Sequence, residues 1–262
     1  MMRTWMPVIL ALLALPSFPL AAAPAGPGAK PEYVVQPAPL TPSLKGEWDG
    51  PAWGKAPALD ITHFFTKDTG MPTASDFRPE AKAKVLYDGK GLYIHFLVND
   101  QYVRCIETKY HGKVWEDSAV EFFVKPKEER GYFNFEINCG GVMLLSYHEN
   151  PDYKGPVQNE ESNVPEEKAK AVTIFHSMPA TVDPEIAEKT SWHIEYFIPF
   201  DLLEAYIGPL GDVPGQVWHA NFYKIAENNS HPHYGAWSPI LEGHSFHAPQ
   251  FFGVLRFAPQ RP

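Results

Sequence analysis

The 262-residue sequence contains no cluster of lysine and arginine, and its formal net charge at neutral pH is −9. An acidic chain repels phosphate backbones, which makes nucleic acid a poor partner. There is no GxSxG segment, so nothing supports the nucleophile elbow of a serine hydrolase. No apolar run is long enough to cross a bilayer as a stable anchor. Neutral ligands such as sugars remain compatible with this composition.

Cysteine is also scarce, with only Cys105 and Cys139 in the whole chain. Both flank a region rich in predicted strands, and an oxidising compartment would permit a bond between them. Free buried cysteine is common as well, and the spacing alone does not supply the separation that a bridge needs. The sequence leaves both states open, and we carry the Cys105–Cys139 disulfide forward as a prediction.

The N-terminal segment has the order of features of a secretory signal. Arg3 supplies the positive start, Val8 to Leu15 form a short apolar run, and Ala23-Pro24-Ala25 supplies small residues for cleavage. We therefore predict a signal peptide over residues 1–25 and a secreted or periplasmic mature protein. An uncleaved N-terminal anchor is the alternative. No cysteine adjoins the cleavage site, which argues against a lipoprotein.

Proline and glycine are abundant, with 27 and 19 residues, and 44% of the chain is hydrophobic. This composition suits many short strands joined by turns. Alternating residues on both sides of Asp88-Gly89 predict a hairpin. Its second arm places four apolar residues on one face: Leu92, Ile94, Phe96 and Val98.

The segment YFNFEIN, residues 132–138, separates into two faces when it is read as a strand. The first face is apolar and predicts core positions at Phe133, Phe135 and Ile137. The other face is polar with an aromatic residue at one end, a composition that a sugar site needs; it comprises Tyr132, Asn134, Glu136 and Asn138.

About ten short strands and little helix predict an all-β fold, namely an antiparallel, jelly-roll-like β-sandwich with long loops. We assign residues 26–44 to a lead-in rich in proline and alanine and residues 45–258 to one domain. A polar, acidic loop covers residues 150–169, where a boundary between two smaller domains is the alternative. DLLEAY is a helical turn capped by Asp201, and residues 227–249 form a long loop whose aromatics favour a functional role.

The segment KVWEDSAVEFFVKP, residues 113–126, offers two kinds of chemistry. Glu116, Asp117 and Glu121 could supply the carboxylate pair of a glycoside hydrolase. Asp117 could instead turn the chain into the strand, with Glu121 one polar position on it. The indole of Trp115 could stack on a pyranose ring or could seal the end of the sandwich.

The histidines of the long loop raise the question of a metal. Four of them could bind zinc together, but their spacing matches no strong signature and no cysteine is near. A solvated loop is the simpler reading, so the metal assignment stays unknown. These histidines are His231, His233, His244 and His247.

Six segments, in order along residues 40–257, resemble motifs of family 9 carbohydrate-binding modules, in particular free-standing secreted bacterial proteins similar to that family. They are LKGEWDGPAW, AKVLYDGKGLYIHFLVND, VWEDSAVEFFVKP, WHIEYFIPF, VWHANFYKI and AWSPILEGHSFHAPQFFGVLRF. The resemblance implies a non-catalytic β-sandwich that binds an oligo- or polysaccharide, in association with glycoside hydrolases. It implies no cofactor, apart from a structural calcium in some members whose ligands the motifs do not assign here.

The resemblance also implies a clamp on the glycan. Its first aromatic residue matches Trp115, its second falls at Phe246, and the acidic acceptor on the following strand matches Glu121. Glu136 stands where characterised modules carry a basic sugar-binding residue. A related sandwich type binds haem, and that alternative would use Met143 with a histidine or lysine as axial ligands, although no covalent haem signature is present.

Overall fold

The structure, a computed structural model, describes residues 30–66, 74–150, 162–241 and 245–260. The predicted signal peptide and His244 therefore lie outside the described residues.

Within the described residues the chain folds into fifteen strands and two short helices, joined in places by 3-10 turns such as Val114–Glu116 and Pro249–Phe251. The strands are β1 (Glu32–Pro37), β2 (Leu59–Ile61), β3 (His63–Phe64), β4 (Glu80–Tyr87), β5 (Gly91–Asp100), β6 (Val103–Cys105), β7 (Ala119–Lys125), β8 (Tyr132–Asn138), β9 (Met143–His148), β10 (Thr173–His176), β11 (Val182–Ile186), β12 (Thr190–Pro199), β13 (Val217–Ala226), β14 (His233–Ala236) and β15 (Gly253–Phe257). The helices are α1 (Glu166–Ala169) and α2 (Phe200–Ile207). Neither of them has the length and apolar character that a membrane-crossing helix requires. The predicted all-β sandwich is confirmed.

The strands form two layers, which we call the front sheet and the back sheet. The front sheet has the order β9-β8-β7-β13-β15, with β14 paired to β13 and β3 paired to β14. The back sheet has the order β10-β12-β5-β4, with β2 beside β4. The two sheets are linked by β1, which pairs in parallel with β15 through residues 32–35 and with β4 through residues 36–37. A separate small ladder joins β6 and β11.

The core lies between the two sheets and is rich in aromatic residues. The ring of Phe96 on β5 lies 6.0 Å from the ring of Phe222 on β13, and Phe222 also packs on Phe122 of β7. Because side chains alternate along a strand, every second residue reaches this interior. The predicted core faces are confirmed, since all their members are buried: Leu92, Ile94, Phe96, Val98, Phe133, Phe135 and Ile137.

The predicted hairpin is also confirmed, with β4 and β5 antiparallel over their whole length. Asp88 closes the turn, because its Oδ1 atom accepts hydrogen bonds from the backbone of Lys90 at 2.7 Å and of Gly91 at 3.1 Å. This use of an aspartate side chain is typical of tight turns.

Two predicted irregular segments contain strands, and both predictions are wrong in that respect. β1 lies in the segment read as a lead-in, and its Tyr33 and Val35 are buried in the core, so the folded domain begins before residue 45. β14 lies in the segment read as a loop and pairs with β13 and β3. Both strands are short and take their stability from distant partners, which a local pattern does not reveal.

The helical predictions need smaller corrections. α2 begins after Pro199, which occupies the capping position without a side-chain hydrogen bond, so Asp201 lies inside the first turn. A carboxylate there still interacts favourably with the helix dipole. The described end of the acidic loop also contains α1.

Candidate functional site

The outer face of the front sheet carries most of the residues that the sequence singles out. Side chains that alternate with the core residues of β7, β8 and β13 point to this face. Register places Glu121 on β7 between Glu136 on β8 and Tyr223 on β13. The face is buried rather than solvated, because distant parts of the chain cover it with Phe65, Tyr234, Phe246 and Phe252.

Trp115 lies in the 3-10 turn that leads into β7, half-buried at the margin of this covered face. The turn is fixed by Asp117, whose carboxylate accepts hydrogen bonds from the backbone of Ile106 and of Glu107, both at 2.9 Å. The carbonyl of Trp115 accepts a hydrogen bond from the Glu227 backbone at 3.3 Å. The indole is therefore held in place while part of its surface reaches solvent.

Phe246 is fixed by aromatic packing. Its ring stacks on Tyr223 with 4.0 Å between centroids and 9° between planes, and it lies 5.7 Å from the ring of Phe65. The hydroxyl of Tyr223 donates to the carbonyl of Phe246 at 3.0 Å. Stacking and hydrogen bonding therefore tie the described end of the long loop to β13.

Two carboxylates face each other across neighbouring strands at the centre of this face. Glu121 is 2% exposed and Glu136 is 5% exposed. Asn134, two residues before Glu136 on the same strand, donates through Nδ2 to Glu136 Oε1 at 2.7 Å. The Glu121 Oε2 atom and the Asn134 Oδ1 atom are buried without a hydrogen-bond partner among the described residues. Buried acceptors of this kind are rare, since each lost hydrogen bond costs free energy.

Burial is the main influence on the charge of these carboxylates. It raises the pKa of Glu121 well above its usual range, with a further contribution from the negative charge of Glu136. Burial also raises the pKa of Glu136 to about 7, against a smaller opposing effect of the Asn134 hydrogen bond. Nearby Glu227 has a raised pKa because of partial burial and the charge of Glu116. Burial and the neighbouring acids therefore shift all three groups towards their protonated forms.

The remaining predicted residues of the 113–121 segment and of β8 have structural partners. Asn138 donates to the Glu107 carbonyl at 3.0 Å and to Asp117 at 2.9 Å, so both side chains brace the turn before β7. Glu116 pairs with Lys113 at 2.8 Å near the surface. Of the predicted sugar-binding residues, the outer face brings together Trp115, Glu121, Asn134, Glu136 and Phe246, whereas Asn138 belongs to the frame beside them.

Sequence reasoning missed two residues of the site, Tyr223 and Glu227. Tyr223 follows the outward alternation of β13, so the period-2 pattern contained a signal for it. Glu227 follows the end of β13 and reaches the site only through the sheet register, for which the sequence offers no local signal. His247 also contacts the outer face, because its Nδ1 lies 2.8 Å from the hydroxyl of Tyr132.

The described loop histidines have separate partners. The ring of His231 stacks on Tyr102 at 3.6 Å, and Nε2 of buried His233 lies 2.8 Å from Lys224 Nζ. His247 packs between Phe123 and His148, and burial lowers the pKa of His247 to about 3. Among the described residues no group of three or more histidines, cysteines or acids is placed to hold a metal ion, so no ligand set for calcium or zinc is identified there.

Two other predicted features lie away from the outer face. Cys105 and Cys139 are buried free thiols, and the hydrogen bond with Cys105 and burial raise the pKa of Cys139 well above its usual range. The two thiols are thus neighbours, and the disulfide remains a prediction. Met143 belongs to the core cluster between the sheets, as a strand residue rather than a pocket residue.

Comparisons with known proteins agree with this architecture. The family model of carbohydrate-binding family 9 matches residues 62–257. A solved structure from Bacteroides uniformis, of a protein proposed to bind carbohydrate, is 28% identical with a TM-score of 0.73, covering 87% of this chain and 100% of that one. A family 9 carbohydrate-binding module from Caldicellulosiruptor kristjanssonii, solved with cellotriose and with glucose, shares the fold. Both of its structures are 12% identical to this chain, with a TM-score of 0.58. Each match covers 88% of this chain; it covers 95% of the module solved with cellotriose and 97% of the module solved with glucose. No curated protein matches the chain.

Proposed function

Because the chain belongs to carbohydrate-binding family 9, we propose that it is a secreted, non-catalytic protein that binds an oligo- or polysaccharide at the outer face of the front sheet. Secretion rests on the signal-like order of residues 1–25. A role beside glycoside hydrolases in polysaccharide catabolism is part of the same proposal and rests on the family. The choice of binding residues rests on the geometry of the outer face.

The observation that carries the proposal is the pair of buried acceptors, Glu121 Oε2 and Asn134 Oδ1, that lack donors within the described residues. A sugar ring presents several hydroxyl donors at spacings of a few ångströms, and such donors would satisfy both atoms once the aromatic cover of this face admits the ring. Trp115 lies half-buried at the margin of the same face, where its indole offers an apolar surface for the C–H face of a pyranose.

The proposed clamp uses Trp115 as one wall and Phe246 as the other. Phe246 is stacked on Tyr223, so this wall is ordered before a ligand arrives. A wall that is already ordered loses little conformational entropy on binding, which favours affinity. Both walls belong to the same apolar cluster on the outer face.

The proposed absence of catalysis follows from the carboxylates. Asp117 is engaged by two backbone amides and by Asn138, so it is not free to act on a substrate. Burial raises the pKa of both Glu121 and Glu136, whereas a glycosidase needs one of its two carboxyl groups ionised as base or nucleophile. A reducing-sugar assay over the bound glycans should therefore detect no cleavage.

A glycan array followed by calorimetric titration tests the proposal. For the best array ligand, Trp115→Ala should lose about 1–3 kcal/mol of binding free energy, the typical effect of truncating an interfacial aromatic. Trp48→Ala is the matched control, because Trp48 is also half-buried but packs against His95 and Lys84 of the back sheet.

Thermal melts of all three proteins establish that each variant is folded. Unchanged affinity in folded Trp115→Ala would contradict the clamp and favour a purely structural tryptophan. The absence of any glycan ligand for the wild-type protein on a broad array would contradict the function itself.

A further inference from the structure

We infer, on the basis of the proposed glycan-binding function, that the site selects a sugar carrying a free amine, whose ammonium group is held between Glu121 and Glu136 beside Asn134.

The arrangement of acceptors matches an ammonium group. Glu121 and Glu136 are direct cross-strand partners, a relation that places Cβ atoms about 4.5–5.5 Å apart. Asn134 Oδ1 and Glu121 Oε2 both lack donors within the described chain. An ammonium group has three donors and no acceptor, so one such group could serve Glu121, Glu136 and Asn134 together.

The orientation of Asn134 supports this assignment. Its Nδ2 donates to Glu136 Oε1 at 2.7 Å, and its buried Oδ1 is the atom that still lacks a donor within the described residues. The ligand is therefore met by acceptors on two adjacent strands. A neutral hydroxyl would satisfy one of these atoms, whereas it would not form the charge-assisted hydrogen bonds that an ammonium group can form with both carboxyl groups.

The electrostatic surroundings also favour a cation. No lysine or arginine in the described part of the chain forms an ion pair or a hydrogen bond with Glu121 or Glu136. Glu227 adds a third acid at the rim, and Lys113, the cation near this margin, is already paired with Glu116. An ammonium group held between the two carboxyl groups would stabilise their charged forms and displace the protons that burial favours in the free protein. An acidic sugar would gain no such stabilisation from these groups.

Trp115 suits the same ligand. The half-buried indole of Trp115 lies at the margin of the covered face. The backbone carbonyl of this residue accepts a hydrogen bond from the Glu227 backbone amide. An aromatic face attracts a nearby cation as well as the C–H groups of a sugar ring. An amino sugar stacked on Trp115 would meet both forms of attraction.

The test compares three trimers with the same backbone and linkage: cellotriose, the glucosamine trimer and the N-acetylglucosamine trimer. Titration calorimetry of the full chain should give at least tenfold tighter binding of the glucosamine trimer than of the other two, equivalent to about 1.4 kcal/mol. In Glu136→Gln and Glu121→Gln this preference should fall to less than threefold. Glu188→Gln, at an exposed glutamate that precedes β12, should retain it.

The wild-type measurements alone decide the inference, even if a variant fails to fold. Equal or tighter binding of cellotriose or of the acetylated trimer would overturn the amine preference and leave glycan binding intact. Binding of the amine that persists unchanged in both folded glutamine variants would overturn the assigned residues. Loss of binding to every glycan on the array would instead overturn the proposed function.

Discussion

Glu121 and Glu136 are buried next to each other in the folded protein, and their burial makes the stability of the fold depend on pH. A carboxyl group whose pKa is raised by folding takes up a proton more readily in the folded chain than in the unfolded chain. Its stabilising contribution is fully present below the unfolded pKa and is lost as pH rises through the folded pKa. For Glu136 the folded pKa is about 7, so the loss falls between about pH 4.5 and pH 8.

We therefore predict that Glu136→Gln gains stability relative to wild type as pH rises. Glutamine has the shape of a protonated glutamate and carries no charge at any pH. The difference in unfolding free energy should grow by about 3 kcal/mol between pH 5 and pH 9, and urea denaturation at each pH measures it.

The difference between the two proteins is the required quantity, because buried histidines act in the opposite sense. Burial lowers the pKa of His148 to about 4 and that of His247 to about 3, so both groups lower stability as pH falls below about 6.5. This effect is common to wild type and variant and cancels in the difference. Glu188→Gln is the control for a change at an exposed glutamate. A constant difference between wild type and Glu136→Gln across this range would contradict the buried, protonated pair.

The sequence could identify individual site residues but not their environment. Trp115, Glu121 and Phe246 were reachable from the resemblance, and Asn134 and Glu136 from the alternation of β8. The burial of this face was not reachable, because its cover comes from Phe65 and Phe252, which are far away in the sequence. The raised pKa values follow from that cover and were equally inaccessible.

At the scale of elements, β6 and the end of β8 meet through their cysteines. Cys105 ends β6 and Cys139 follows β8, and the two buried thiols interact directly. Backbone hydrogen bonds reinforce this junction, since the Ser118 amide donates to the Arg104 carbonyl at 2.8 Å and the Cys139 amide to the Ser118 carbonyl at 2.8 Å. An oxidant would therefore act on two sulfur atoms that are already adjacent.

We predict that protein recovered from an oxidising compartment contains one Cys105–Cys139 disulfide. Closing the loop between these positions should stabilise the fold by about 2–4 kcal/mol relative to the reduced protein. Thiol titration in denaturant without reductant should find no free thiol, and a reductant should lower the melting temperature. Cys139→Ser, which has a single thiol, is the control for the titration. Two free thiols per chain in the exported wild type would rule the bridge out.

The secondary-structure elements differed in how predictable they were from their local sequences. The β4–β5 hairpin was predictable because alternation on both arms surrounds an Asp-Gly turn. β14 was not, because HYGA is only four residues long and is stabilised by pairing with β13 and β3. A strand whose hydrogen bonds lie in remote segments leaves only a weak local signal.

The architecture of the whole molecule depends on one strand that sequence reasoning placed outside the domain. β1 pairs with β15 of the front sheet through its first four residues and with β4 of the back sheet through its last two. The Tyr33 hydroxyl accepts a hydrogen bond from the Val85 backbone at 3.0 Å and donates to the Pro57 carbonyl at 2.7 Å. Val35 is fully buried in the core. β1 thus joins the two sheets at their common edge.

A chain that begins at residue 45 should therefore be much less stable than one that begins at residue 30. Removing buried Tyr33 and Val35 alone should cost about 3–6 kcal/mol, at about 1.5–3 kcal/mol for each buried side chain. Within the intact strand, Val35→Ala should lower the unfolding free energy, whereas Val34→Ala is the matched control because Val34 is 40% exposed. Urea unfolding of the four proteins supplies the comparison. Equal midpoints for the two chain lengths would show that the sheets hold together without β1, and the predicted boundary at residue 45 would then stand.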